Sequence, residues 1–256
     1  MSATDHELAA AIRDIALKAG DAIMEIYAGE FAVESKADAS PVTEADRAAE
    51  AIIVAALREL TPAIPAVAEE EVAAGHRPDI GGGAFWLVDP LDGTREFVER
   101  NDEFTVNIAL IRDGAPTLGV VYAPVLRRMY GAAGPGDAWL EQDDGPRTPI
   151  SVRATPENGL TAVVSRHHMD RSTEEFLADF KVSNQKPAGS SLKFCLVAEG
   201  AADLYPRFGP TCEWDTAAGD AVVRGAGGTV TNMDGEPLRY GNPPFKNPGF
   251  IVRGIL

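Results

Sequence analysis

Cysteine is scarce in this chain of 256 residues: there are only two, Cys195 and Cys212. Two cysteines in apolar or mixed segments make no disulfide framework, so the expected setting is a reducing cytoplasm. Basic residues are also few. Lysine and arginine total 23 against 39 aspartates and glutamates, a formal net charge of −16. That balance argues against general nucleic-acid binding, whose affinity rests on basic groups. Long apolar runs are missing too. No stretch approaches the roughly 20 residues of a membrane span. The start, Met-Ser-Ala-Thr-Asp-His-Glu, offers neither the basic segment nor the apolar core of a signal peptide. Against these absences stand 45% hydrophobic and 24% charged residues. Such a chain can form one large globular domain or two closely packed halves.

One stretch concentrates the chemistry. Phe85 to Val88 reads as an apolar strand ending at Asp89, and Pro90 then forces a turn. Asp92-Gly93-Thr94 follows as the start of a short helix. Two carboxylates three residues apart, at a strand end beside a helix N-terminus, suit a hard divalent cation such as Mg²⁺. The first backbone N–H groups, at Gly93 and Thr94, could hold a phosphate. Taken alone, Asp-Gly is also a common turn.

Along the chain, Leu8, Ile12, Ile15, Ala19, Ile23 and Ile26 predict an amphipathic helix over about 5–28. Thr43 is a good N-cap for a second helix ending near Leu60, with Asp46 in its first turn. Ile64 to Val67 reads as a strand, followed by Glu69-Glu70-Glu71. Strands are predicted over 104–111 and 118–122, joined at Asp113-Gly114, and again at 129–132 and 138–140. The polar stretch Asp143-Asp144-Gly145-Pro146 marks a boundary, giving halves of 1–145 and 146–256. The second half alternates: strands at 161–164, 204–205, 228–231 and 249–252, and helices at 173–180, 191–198 and 216–226. The expected class is α/β, in layered α+β form.

Several strings carry a family resemblance. Asp89-Pro-Leu-Asp-Gly-Thr94 resembles the metal signature of the lithium-sensitive, Mg²⁺-dependent phosphomonoesterases of the inositol monophosphatase superfamily. Trp214-Asp-Thr-Ala-Ala-Gly219 is similar to its second signature, with Asp220 where many relatives carry histidine. Pro41-Val-Thr-Glu-Ala-Asp46 resembles a further element of the site. Arg95-Glu-Phe, Glu103 to Ile111, Gly189 to Gly200 and Leu204 to Pro210 resemble the CysQ-type branch, the 3′(2′),5′-bisphosphate nucleotidases. The likeness runs through nearly the whole chain.

The resemblance implies alternating helix and sheet layers in two closely packed halves, with the site between them. It also implies hydrolysis of the 3′-phosphate of adenosine 3′,5′-bisphosphate, or of its sulfated form, in support of sulfate assimilation. It makes Glu69, Asp89, the Leu91 carbonyl, Asp92 and Asp215 ligands for two or three Mg²⁺. Ala68 replaces the serine of the family's Ser-Glu-Glu pattern, which leaves Glu70 as an alternative to Glu69. Asp46 and Thr94 are the implied catalytic pair. Substrate contacts are implied for Glu69, Leu91, Asp92, Gly93, Thr94, Ser165, His168, Gly189, Lys193 and Asp215.

Four acids in one partly buried volume could not all stay ionised unpaired, so bound cations reconcile an acidic chain with a phosphorylated substrate. Neither cysteine has a basic neighbour in sequence to support a nucleophilic route. The alternatives are an inositol-phosphate or fructose-1,6-bisphosphate phosphatase of the same superfamily, or a non-catalytic nucleotide or metal sensor.

Overall fold

The computed structural model describes residues 4–35, 41–81, 83–166 and 171–255. Helix α1 (Asp5–Tyr27) opens on a Thr4–Glu7 capping box. A small ribbon, β1 (Val33–Ser35) with β2 (Pro41–Thr43), leads into α2 (Glu44–Leu60). Next come β3 (Ala66–Ala68), α3 (Glu69–Ala73), β4 (Ala84–Asp92) and α4 (Thr94–Val98). Strands β5 (Thr105–Arg112), β6 (Ala115–Ala123), β7 (Arg128–Ala132), β8 (Ala138–Gln142) and β9 (Thr148–Pro149) follow as a meander. Then the pattern alternates: β10 (Leu160–Ser165), α5 (Arg171–Leu177), β11 (Val182–Ala188), α6 (Leu192–Ala198), β12 (Leu204–Arg207), α7 (Glu213–Gly225), β13 (Thr229–Asn232) and β14 (Phe250–Arg253).

Two sheets organise these elements. The larger runs β3 to β9 in chain order, with β3 and β4 parallel and the rest antiparallel. The smaller has the order β11-β10-β12-β14-β13. Strict alternation along the strands of the larger sheet makes both its faces apolar. Trp86, Val88, Val106, Ile108, Leu118 and Val120 pack beneath α1 and α2. Phe85, Leu87, Ala109, Ile111, Val121 and Tyr130 face the other way, onto α6 and α7. The opposite sides of α6 and α7 meet the smaller sheet through Val163, Tyr205, Val230, Phe250 and Val252. Leu177 of α5 packs on the outer face of that sheet with Leu160, Ala162 and Ile251. Among the described residues the layers therefore read helix, sheet, helix, sheet, helix, which is the layered α/β class expected.

Two boundaries differ from expectation. The first half was predicted to end at residue 145, but β9 still pairs with β8, so the chain leaves the larger sheet only after Pro149. The central strand was predicted to stop at Asp89, yet β4 continues to Asp92. The ladder slips there: Asp89 faces Asn107 and Asp92 faces Thr105, one residue more on β4 than on β5. Pro90, with no N–H to offer, falls inside this bulge.

Candidate active site

The bulge solves a geometric problem. On a regular strand, residues three apart point to opposite faces. The additional residue restores parity, because Asn107 and Thr105 are two apart on β5 and share a face. Asp89 and Asp92 therefore share it too, the face covered by α6 and α7. On the neighbouring strand, Ala68 of β3 lies opposite Val88 in parallel register. The next residues, Glu69 and Asp89, stand at the same level of the sheet.

Gly93 turns the chain from β4 into α4 with φ of 93°, a conformation that favours glycine. A Cβ there would also press on the Glu103 carbonyl at 3.3 Å. The turn delivers Thr94, whose hydroxyl stands 3.1 Å from Asp46 Oδ1 and 3.3 Å from the Leu91 carbonyl, both acceptors. Asp46 is buried in the capping box of α2. Its Oδ2 accepts from the Thr43 N–H and hydroxyl, each at 2.8 Å. Asp89 Oδ1 accepts the Leu91 N–H at 3.1 Å, which pins the bulge. Asp215 occupies the first turn of α7 and accepts the Cys212 N–H at 2.8 Å. The implied pair, Asp46 and Thr94, is thus in direct contact although 48 residues apart in sequence.

A cavity of about 330 Å³ collects most of the predicted residues. Glu69, Asp92, Gly93, Thr94, Ser165, Lys193 and Asp215 all line it. Glu70 instead lines a separate cavity with Glu50 and His76. Of the two candidate glutamates, Glu69 is the one that faces the site. Leu91 and Asp89 are buried and do not line this cavity. Gly189 is not on the cavity wall. Its N–H bonds Glu103 Oε2 at 2.7 Å, and a Cβ would lie 2.8 Å from Glu96 Cγ. Close approach of two chain segments accounts for this glycine. His168 lies outside the described residues.

Sequence reasoning did not single out several neighbours. Ser191 donates to Asn107 Oδ1 at 2.7 Å and lies 2.8 Å from the Thr105 hydroxyl, tying the start of α6 to β5. Asn107 also reaches Asp92 Oδ2 at 3.4 Å. A lone amide in the apolar run Phe104 to Ile111 was the available signal. Arg95 and Arg207 join the cavity wall. One expectation is corrected: Cys212 does have a basic neighbour, with Lys246 Nζ 3.0 Å from its sulfur. Burial nonetheless pushes this thiol up to about 12, aided by Asp215 and opposed by Lys246, so it remains a poor nucleophile. Asp220, the departure from the second signature, is buried and accepts from Arg224 at 2.6 and 3.0 Å and from the Tyr240 hydroxyl at 2.9 Å. Its work is internal to α7 and its support.

The electrostatics show strain among the acids. Burial pushes Asp92 up to about 6 against the pull of Lys193, with Glu96 and Glu69 adding repulsion. Burial, then Asp92 and Glu69, hold Asp215 well above the usual carboxylate range. Burial lowers Lys193 to about 8, while Asp92 opposes the fall. Mutually repelling, oxygen-only donors around one cavity fit a hard divalent cation, which would relieve the repulsion. Among the described residues, no three His, Cys, Asp or Glu side chains already stand close enough to grip an ion. The donor set therefore fits the cation chemically, and its members would draw together around it.

The chain belongs to the inositol monophosphatase family, whose profile matches residues 4–250. It is 53% identical over 242 residues to the protein of Escherichia coli (strain K12) named 3′(2′),5′-bisphosphate nucleotidase CysQ, covering 93% of this chain and 96% of that protein. Among solved structures it resembles CysQ from Bacteroides thetaiotaomicron, described as a bacterial member of the same family. That likeness has a TM-score of 0.81 and 41% identity, over 97% of each chain. An IMPase from Thermotoga maritima matches with a TM-score of 0.75 and 28% identity, over 94% of this chain and 89% of that one.

Proposed function

We propose that this chain is a Mg²⁺-dependent 3′(2′),5′-bisphosphate nucleotidase that hydrolyses the 3′-phosphate of adenosine 3′,5′-bisphosphate to AMP. The observation that carries this reading is one cavity that brings the acids implied for the metal, Glu69, Asp92 and Asp215, with Glu96 beside them, together with three cations, Arg95, Lys193 and Arg207. The implied acids would hold the metal, together with Asp89 and the Leu91 carbonyl. The cations are free of that task and suit a second, non-reacting phosphate. Arg207 brings a buried Nε with no protein partner among the described residues, which favours an anionic guest.

Bound Mg²⁺ would supply Lewis-acid activation of water and neutralise the departing ribose oxygen. The remaining steps belong to the protein. The Thr94 hydroxyl and Asp46 carboxylate hold and orient the attacking water, and Asp46 accepts its proton. Attack at phosphorus is in line, and the N–H groups at Gly93 and Thr94 bind phosphoryl oxygens. The expelled ribose oxygen takes a proton from solvent water and Asp46 gives up the one it accepted, leaving AMP and inorganic phosphate. No covalent phosphoenzyme is required, consistent with the high pKa of Cys212.

A substrate panel tests the reading. Phosphate release is compared for adenosine 3′,5′-bisphosphate, its sulfated form, inositol 1-phosphate and fructose 1,6-bisphosphate. The expected result is highest kcat/KM for the adenosine bisphosphates. Equal kcat/KM for inositol 1-phosphate would remove the nucleotidase assignment but keep the phosphatase. No release from any substrate would leave a sensor.

A further inference from the structure

Helix α3 begins at Glu69 without a cap of its own: Ala68 supplies no side-chain hydrogen bond. The missing cap comes from α2. Glu50 is buried and accepts the Glu70 N–H through Oε2 at 2.7 Å and the Glu71 N–H through Oε1 at 2.8 Å. Both oxygens of one carboxylate are thus committed to consecutive first-turn amides, which would otherwise lack acceptors. Glu50 stands four residues after Asp46 on the same helix, so the two share a face. Asp46 grips the turn that carries Thr94, and Glu50 grips the turn that carries Glu69. One helix face therefore holds the two loops that follow β3 and β4.

We propose that Glu50 is a positioning residue for the divalent cation. By fixing the first turn of α3 it sets where the Glu69 carboxylate stands relative to Asp89 and Asp92, and so tunes metal affinity without touching metal or substrate. This inference rests on the metal-site reading above. Its energetic logic is that of outer-shell partners, whose loss typically weakens metal binding by about 10–100-fold. Glu50→Gln is the discriminating change, because an amide keeps the size but presents an NH₂ donor to one of the two backbone donors.

The test uses the full chain. Mg²⁺ binding is followed by calorimetry and Mn²⁺ binding by electron paramagnetic resonance, beside the Mg²⁺ dependence of phosphate release. E50Q is expected to weaken both direct binding constants by about tenfold or more. It should raise the Mg²⁺ concentration for half-maximal activity by the same factor and leave kcat at saturating Mg²⁺ near wild type. Amide exchange at Glu70 and Glu71 should speed up. Ala68→Ser supplies a cap within α3 itself, so A68S/E50Q should recover part of the affinity. A folded E50Q with unchanged Mg²⁺ and Mn²⁺ binding would overturn the proposal. So would a loss of kcat that saturating metal does not restore. If E50Q does not fold, E50D and A68S/E50D give the same readout, because the shorter carboxylate retains acceptors but changes reach. Failure of the underlying reading is a separate result: wild type itself would bind neither metal.

Discussion

Lys193 is an odd cation for a phosphate site, because it is buried and already bonded to the chain. Its ammonium donates to the Ser190 carbonyl at 2.5 Å and to the Ala188 carbonyl at 3.4 Å, and lies 5.6 Å from the centre of the Tyr205 ring. Burial lowers its pKa from 10.5 to about 8, so the charged form is present below that pH and lost above it. KM for adenosine 3′,5′-bisphosphate should therefore rise as pH passes through about 8. Lys193→Met keeps the packed stem and removes the charge. It should raise that KM roughly tenfold, about 1.4 kcal/mol, and abolish the alkaline rise. Turnover of a small generic phosphate should barely change. Equal loss on every substrate would assign Lys193 to the structural core instead. At this scale the sequence was informative about identity and weak about geometry. Asp89, Asp92, Glu69 and Asp215 were visible as acids at element ends. Nothing in Asp-x-x-Asp announces that a bulge must turn both to one face, because parity depends on the partner strand.

Arg153 and Asp203 tie the strand-end loops of the smaller sheet together. The guanidinium donates to both Asp203 oxygens at 2.8 Å, and the Thr161 N–H adds a third bond at 2.7 Å. Burial alone would raise Asp203, but these bonds outweigh it and hold the pKa below 3.8. A carboxylate lowered in the folded state stabilises above its unfolded pKa, and that contribution is lost as pH falls through the folded value. Arg153→Gln should cost about 1–3 kcal/mol near neutrality, less than a fully buried pair because Arg153 is partly exposed. Urea unfolding at pH 7 and again below pH 3 checks this, since the gap from wild type should shrink in acid. An equal gap at both values would deny the pair its role. Among elements, α1 and α2 were legible because apolar spacing and a capping threonine agree. β11 was missed: Val-Ser-Asn-Gln-Lys-Pro-Ala is polar because it is an exposed edge strand paired, among the described residues, only to β10. Helix α3 was read as a run of acids, and its cap lies on another helix, out of sight of any local pattern.

The whole molecule carries a charge of −16 and crowds acids around one cavity. A cation that binds only the folded state should therefore stabilise it by mass action, about 2.7 kcal/mol at a hundredfold excess over Kd. The melting temperature should rise with Mg²⁺ and fall back on chelation. Millimolar Li⁺ should inhibit at saturating Mg²⁺, since a monovalent ion in a metal position stabilises the leaving oxygen poorly. Activity lost on chelation yet indifferent to Li⁺ would retain the metal and reject that occupancy. The layered class was legible from strands and helices in alternation. The order of strands in the smaller sheet was not, because β12 and β14 are brought together by packing across 42 residues of intervening chain.

The middle layer has a mechanical consequence. Helices α6 and α7 are wedged between both sheets, and one apolar cluster runs through them from Phe85 to Val252. A shared wall of this kind makes the two sheets one cooperative unit, so that neither can loosen without uncovering the other's packing. Heat should therefore melt both sheets together in a single calorimetric peak.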